Sequence, residues 1–211
     1  MDLRHEFEVG VPIAEAWRIL TDLERIAPCL PGAQLTEVEG DIYRGQVKVK
    51  VGPILAQFKG QASFVSRDDS GYTATLKGEG RDTGGKGNAS ALITANLQAI
   101  DTSRTKCVVT TDLSISGKVA QFGRGALADV SDKLLAQFTE NLNTLIASSP
   151  SEPVSAPTAA EEPVSGVRHI ESAEVAPLDL LDAAGSTIVK RIVPLVIVLA
   201  VVAVVIGVVV F

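Results

Sequence analysis

Histidine and cysteine are nearly missing from this chain: His5 and His169, Cys29 and Cys107 are all there are in 211 residues. The cysteines form no CxxC pair, and no His/Cys/carboxylate cluster has metal-ligand spacing, which argues against a zinc centre and a nucleophile–base pair. Two widely separated cysteines read as free thiols in a reducing cytoplasm. Aromatic residues are only 4% although 46% of the chain is hydrophobic, so the apolar mass is small and aliphatic. Positive charge is also short, with 19 Lys and Arg against 25 Asp and Glu. The resulting net charge of -6 argues against a nucleic-acid surface. Met1 to Glu8 is charged with no apolar run, so no secretory signal peptide is expected ahead of the domain.

What the chain does contain is organised around Val119–Ala147. Leu127, Val130, Leu134, Phe138, Leu142 and Leu145 step by three or four and make one apolar stripe. Asp129, Asp132, Lys133, Glu140 and Asn141 fall off it. The spacing predicts a long helix lying as a lid on one face of an antiparallel sheet.

The sheet is legible as alternation. Leu3, His5, Phe7 and Val9 alternate with charged residues, which predicts a half-buried strand with His5 partly buried among apolar neighbours. Pro12 opens a short helix carrying Ile13, Ala16, Trp17 and Leu20; Pro28, Pro31 and Gly32 break the chain after Ile26. Leu35 to Gly117 reads as five or six successive strands. Tyr43, Val47, Val49 and Val51 share one face, and Arg44, Gln46, Lys48 and Lys50 the other. Gly80-Arg81-Asp82-Thr83-Gly84-Gly85-Lys86-Gly87 approaches a phosphate-loop pattern. It lacks the Ser or Thr after the lysine, and a strand rather than a helix comes next, so it predicts a hairpin turn.

The predicted inward positions are unusually small: Ala56, Gly60, Ala62, Ala74, Gly78, Gly80, Ala89, Ala91, Ala95 and Ala99. Interiors normally pack near crystal density. Either backbone approaches closely at these positions, or space remains under the helix. Empty apolar space costs about 24 cal/mol per Å³, so a large void implies an occupant. On the outward face, Arg44, Lys48, Lys50, Lys59 and Lys77 form either a solvated surface or a docking face for an acidic protein or anionic lipid.

Residues 148–187 are rich in Ser, Pro, Ala and Glu and predict a flexible linker. Residues 188–211 end in Ile192–Phe211, which is uncharged. About 20 such residues span the roughly 30 Å hydrocarbon core of a bilayer as a helix. Lys190 and Arg191 at its entrance predict a single-pass C-terminal membrane anchor with residues 1–147 on the cytoplasmic side.

The order strand, short helix, meander, long helix resembles the START-like helix-grip superfamily, an α+β fold in which an antiparallel sheet wraps a long C-terminal helix. Cys29-Leu30-Pro31-Gly32-Ala33, Lys50-Val51-Gly52-Pro53, Phe58-Lys59-Gly60 and Ser116-Gly117-Lys118-Val119-Ala120-Gln121-Phe122-Gly123 are similar to motifs of the carbon monoxide dehydrogenase G-subunit family. The resemblance covers roughly residues 1–147. It implies an apolar small-molecule site, association with a molybdenum-containing carbon monoxide dehydrogenase or related hydroxylase, and no catalysis by this chain.

Together these readings predict a membrane-anchored accessory protein that binds a lipophilic ligand and recruits the enzyme to the membrane. No covalently bound cofactor is expected. A non-covalently held quinone is, because the enzyme's electrons must reach carriers dissolved in lipid. The expected pocket wall is Trp17, Leu30, Val49, Phe58, Phe64, Leu76, Leu97, Leu113, Phe122, Val130, Leu134 and Phe138. A ligand-free recruitment or assembly factor with a filled core is the alternative. An enzyme of the cyclase or hydrolase type would have to draw on His5, Tyr43, Tyr72 and Asp112, from which no triad can be read.

Overall fold

A computed structural model of the chain describes residues 1–51, 54–148, 168–170 and 178–179. The sheet and helices belong to a compact unit, Met1–Leu178; Asp179–Phe211 is a second. Most of the expected linker and all of the expected anchor lie outside the described residues.

Strand β1 (Asp2–Val9) leads into α1 (Ile13–Leu20), α2 (Leu23–Ile26) and a 3-10 turn (Ala27–Cys29). Six strands come next: β2 (Ala33–Glu39), β3 (Ile42–Val51), β4 (Ile54–Asp68), β5 (Thr73–Asp82), β6 (Asn88–Ala99) and β7 (Thr105–Ile115). A 3-10 segment (Gly117–Phe122) precedes α3 (Gly123–Ser148). Each meander strand pairs antiparallel with the next, and β1 closes onto β7. The spatial order is β1-β7-β6-β5-β4-β3-β2, extended by a two-residue strand β8 (Arg168–His169) beside β2. Thus one piece of the stretch expected as linker covers the sheet edge, tied down by the Ile170 N–H to Thr36 O (2.8 Å) and by Arg168 on Glu24.

The long helix begins later than the Val119 start expected from the sequence. Gly123 has φ +77° and ψ 165°, which no helical residue adopts, so Val119–Phe122 is a 3-10 segment and the α-helix starts only after the bend. Leu142 is fully buried, and Phe138 and Leu145 pack with Leu135 and Ile146 on the core. Leu127, Val130 and Leu134 remain partly exposed.

That core sits at one end of the sheet. Phe7, Val9, Ala16, Trp17, Ile19, Cys29, Ala74, Leu97, Cys107 and Leu142 form it. Thr105, fully buried, donates its hydroxyl to Val11 O at 2.8 Å, and the α3 side chain Asn141 donates to Cys29 O at 2.9 Å. The C-terminal half of α3 is therefore fastened to β1, α1 and the Cys29 turn.

Candidate functional site

Pairing register decides which side chains share the concave face. Antiparallel partners point the same way. Tyr43↔Ala62, Val47↔Phe58 and Val49↔Ala56 align β3 with β4; Phe64↔Leu76 and Ala62↔Gly78 align β4 with β5. Leu76↔Ile93, Gly78↔Ala91 and Ala91↔Leu113 continue across β6 to β7, and Val109↔His5 and Cys107↔Phe7 reach β1. The alternation read from the sequence is thus a single continuous surface, and Phe7, Ala74, Leu97 and Cys107 on it join the buried core below α3.

Away from that core the same surface is not filled. Val47, Val49, Phe58, Leu76, Ile93 and Leu113 all stay partly accessible, as do Val130 and Leu134 on the helix. Gly78 is the clearest marker: a methyl group placed on it would meet no atom within 4 Å. Gly60, on the same face of the adjacent strand, is the opposite case, because a methyl there would fall 1.9 Å from Glu79 O. The small residues therefore serve both purposes that the sequence left open. Gly60 lets backbones approach, whereas Gly78 faces open space.

The residues expected to line a pocket divide accordingly. Val49, Phe58, Leu76 and Leu113 share the accessible concave surface, and Val130 and Leu134 of α3 are partly exposed and stand apart from the α3 side chains, Leu135 onward, that pack on the core. Trp17 and Leu97 are buried in the packed end, and Phe64 and Phe138 rest against it. Phe138 meets Phe7 edge-on at 6.0 Å. Leu30, half-buried, caps the Cys29 turn. The side chain of Phe122 falls outside the described part of the chain.

Polar groups are dispersed rather than convergent. His5 Nε2 lies 3.0 Å from Asp132 Oδ1, joining β1 to α3 beside a recess of ≈ 360 Å³ lined in part by Phe7, Leu135 and Thr139. Tyr43 faces inward at the other side of the sheet, and burial, then Glu24 and Asp41, push its hydroxyl pKa up. Tyr72 packs edge-on against Trp17 at 5.8 Å. Asp112 pairs in register with Asp2 and Leu92 on the outer face, 3.6 Å from the Met1 amine. An open groove of ≈ 720 Å³ also marks the outer face, lined by Arg44, Lys59, Gln61, Glu79 and Arg81 among others.

Sequence reading missed the role of Asp82. Its buried carboxylate accepts N–H groups from Lys86 (2.9 Å), Gln57 (3.2 Å) and Gly84 (2.9 Å), the Lys86 bond first among the causes that hold its pKa below the usual value. It makes the glycine-rich hairpin an ordered turn bolted to β4. The only available signal was an aspartate directly before Thr-Gly-Gly.

Residues 6–147 match the family of the carbon monoxide dehydrogenase G subunit, CoxG. No curated protein matches the chain in sequence. Among solved structures, a conserved protein from Geobacillus kaustophilus is 21% identical, with a TM-score of 0.64 over 70% of this chain and 95% of that one. The Zhui aromatase/cyclase from a Streptomyces species is 14% identical, with a TM-score of 0.50 over 68% and 92%. A truncated norcoclaurine synthase from Thalictrum flavum is 14% identical, with a TM-score of 0.51 over 71% and 95%. At these identities the structures share a fold, and that fold is the helix grip expected from the order of elements. With the family match spanning nearly the whole folded unit, the chain belongs to the carbon monoxide dehydrogenase G-subunit (CoxG) family.

Proposed function

We propose that the domain carries a lipophilic small molecule, most fittingly a quinone, between the concave sheet and the N-terminal half of α3. The observation that carries this reading is the open space above Gly78, walled by apolar side chains that the core leaves partly accessible. Such a surface costs free energy while it faces water, at about 25 cal/mol per Å² of apolar area, and an apolar ligand recovers that cost. The absence of convergent polar groups among the described residues suits a carrier that holds its cargo without transforming it. The family's name supports a place beside a carbon monoxide dehydrogenase, with the chain as a non-catalytic accessory protein. The uncharged Ile192–Phe211 segment supports a position at the membrane, where a quinone is available and where the molybdenum enzyme, or a related hydroxylase, has to deliver electrons.

The test is native mass spectrometry of the full chain extracted from membranes, with organic extraction and identification of whatever it holds. A stoichiometric quinone supports the carrier. A protein that emerges empty, and takes up no quinone from vesicles, overturns it.

The polar groove on the outer face favours a second reading, a recruitment or assembly factor that docks on the enzyme through that face and carries nothing. It predicts enzyme binding that charge changes at Arg44 and Arg81 abolish, with no ligand at any stage.

A further inference from the structure

One end of the sheet is cationic, in a chain whose net charge is -6. The first residues of β4, the β5–β6 hairpin and the β7–α3 turn meet there and are tied together. Lys86 Nζ donates to Leu55 O at 2.7 Å, the Thr83 N–H to Gln57 O at 2.8 Å and the Lys118 N–H to Lys86 O at 2.6 Å. Residues 46–59, 80–90 and 113–125 contribute Lys48, Lys50, Lys59, Arg81, Lys86, Lys118 and Arg124. The same stretches contain one carboxylate, Asp82, which is buried and engaged by its own turn. Lys59 and Arg81 are register partners and lie side by side. Among the described residues, no carboxylate pairs with Lys59, Arg81, Lys118 or Arg124.

The opposite end has the reverse character. Asp22, Glu24, Asp41, Asp68, Asp69 and Asp101 gather at its turns, and arginines there are paired with them, Arg67 with Asp69 and Arg104 with Asp101, each at 2.8 Å, and Arg168 with Glu24. Charge is therefore separated along the strand direction. Amid the cations, Leu55 is 47% exposed.

We propose that this rim docks the domain on an anionic lipid surface, with Leu55 entering the headgroup layer and the acidic end facing away. Clustered lysines and arginines are attracted by the negative potential of anionic membranes, and an exposed aliphatic side chain among them gains from leaving water at the interface. The separated charge also orients the approach, since the acidic end is repelled by the same surface. A lipid surface is favoured over an acidic protein because the cations come from three separate stretches of chain instead of facing matched partners, and because the Ile192–Phe211 segment is suited to the bilayer. The inference goes beyond the carrier reading and does not need it, since an empty domain would dock in the same way.

The experiment reconstitutes the full chain in vesicles and reads orientation. Cys29 and Cys107 are buried, so a fluorophore can be placed selectively on Gln121→Cys at the rim or Ser103→Cys at the acidic end. With a headgroup-borne quencher in phosphatidylglycerol vesicles, the residue 121 probe should be quenched several-fold more than the residue 103 probe. High salt, pure phosphatidylcholine, or combined K59Q, R81Q, K118Q and R124Q should bring the two together. The salt arm needs no substitution and covers the case in which the quadruple variant misfolds. Equal quenching of both probes, or quenching at 121 that ignores lipid charge and salt, overturns the proposal. So does shielding of residue 121 only when the dehydrogenase is added, which would make the rim a protein interface.

Discussion

Gly60 pairs with Gly80 across β4 and β5, and a methyl group on Gly60 would fall 1.9 Å from Glu79 O and 2.6 Å from the Gly80 Cα. Both obstacles are backbone, which cannot swing aside as a side-chain tip would. Gly60→Ala should therefore destabilise the fold by about 2 kcal/mol or more, in the range of overpacked sites. Gly78→Ala, made on the same concave face over open space, should be nearly neutral or slightly stabilising through the reduced freedom of the unfolded chain. Urea melts of the two variants decide the matter. Equal costs would mean that the Gly78 position is packed after all.

The same space can be filled deliberately. Gly78→Leu adds an apolar side chain where no atom lies within 4 Å of the first added carbon, so folding should survive. Ligand uptake should not survive, because the leucine occupies the middle of the proposed site between Ala62 and Ala91. Fluorescence-quenching titration with a water-soluble short-chain quinone, run beside a thermal melt, separates the two effects. A folded variant that still binds quinone at wild-type affinity would move the ligand elsewhere.

Strand periodicity made the sheet readable, because one residue of slip would expose every apolar side chain at once. The inward assignments from Tyr43 to Ile115 accordingly agree with the pairing register. The two ends of α3 were harder. Leu127 and Leu142 are alike in the stripe, yet only Leu142 is buried, since burial depends on what faces each turn and not on the helix's own period. The site was legible in composition, through its excess of glycine and alanine, but not residue by residue. Nothing local distinguishes Gly60, wedged against backbone, from Gly78, which faces open space. Trp17 and Leu97, both apolar and inward, fell to the packed end for the same reason.

Trp17 offers an internal reporter, being the single tryptophan. Its Nε1–H donates to Asp69 Oδ1 at 2.7 Å, and Arg67 also bonds that oxygen and lies 5.7 Å from the ring centre. The Arg67 bond first, and the Trp17 bond second, hold the Asp69 pKa below its ordinary 3.8. The native state thus takes up this proton less readily than the unfolded one. The contribution is fully present above pH 3.8 and is lost as pH falls through the lower native value. Trp17 emission should change in that acid window while far-ultraviolet circular dichroism is still native. Asp69→Asn, which keeps an oxygen acceptor but cannot titrate, should remove the step. An unchanged step in that variant would assign it to another group.

Alkaline pH probes the core from the other direction. Cys107 faces Phe7 and Leu97 across its two ladders and is 1% exposed, and burial pushes its thiol from the ordinary 9.0 up to about 12. In the unfolded chain the thiol ionises near 9.0, whereas in the folded chain it stays protonated, so its contribution to stability is intact below pH 9.0 and erodes as pH rises towards about 12. The slope from this one group approaches about 1.4 kcal/mol per pH unit. Urea melts between these limits should show that decline in the wild type and a shallower one in Cys107→Ala. Thiol titration gives an independent reading, because a buried, protonated sulfur is a poor nucleophile. At mildly alkaline pH the native protein should react negligibly and the urea-unfolded chain at both Cys29 and Cys107. Rapid reaction of the native protein would show that the packed end opens readily, and the rigid base on which α3 and the open apolar face are hung would have to be abandoned.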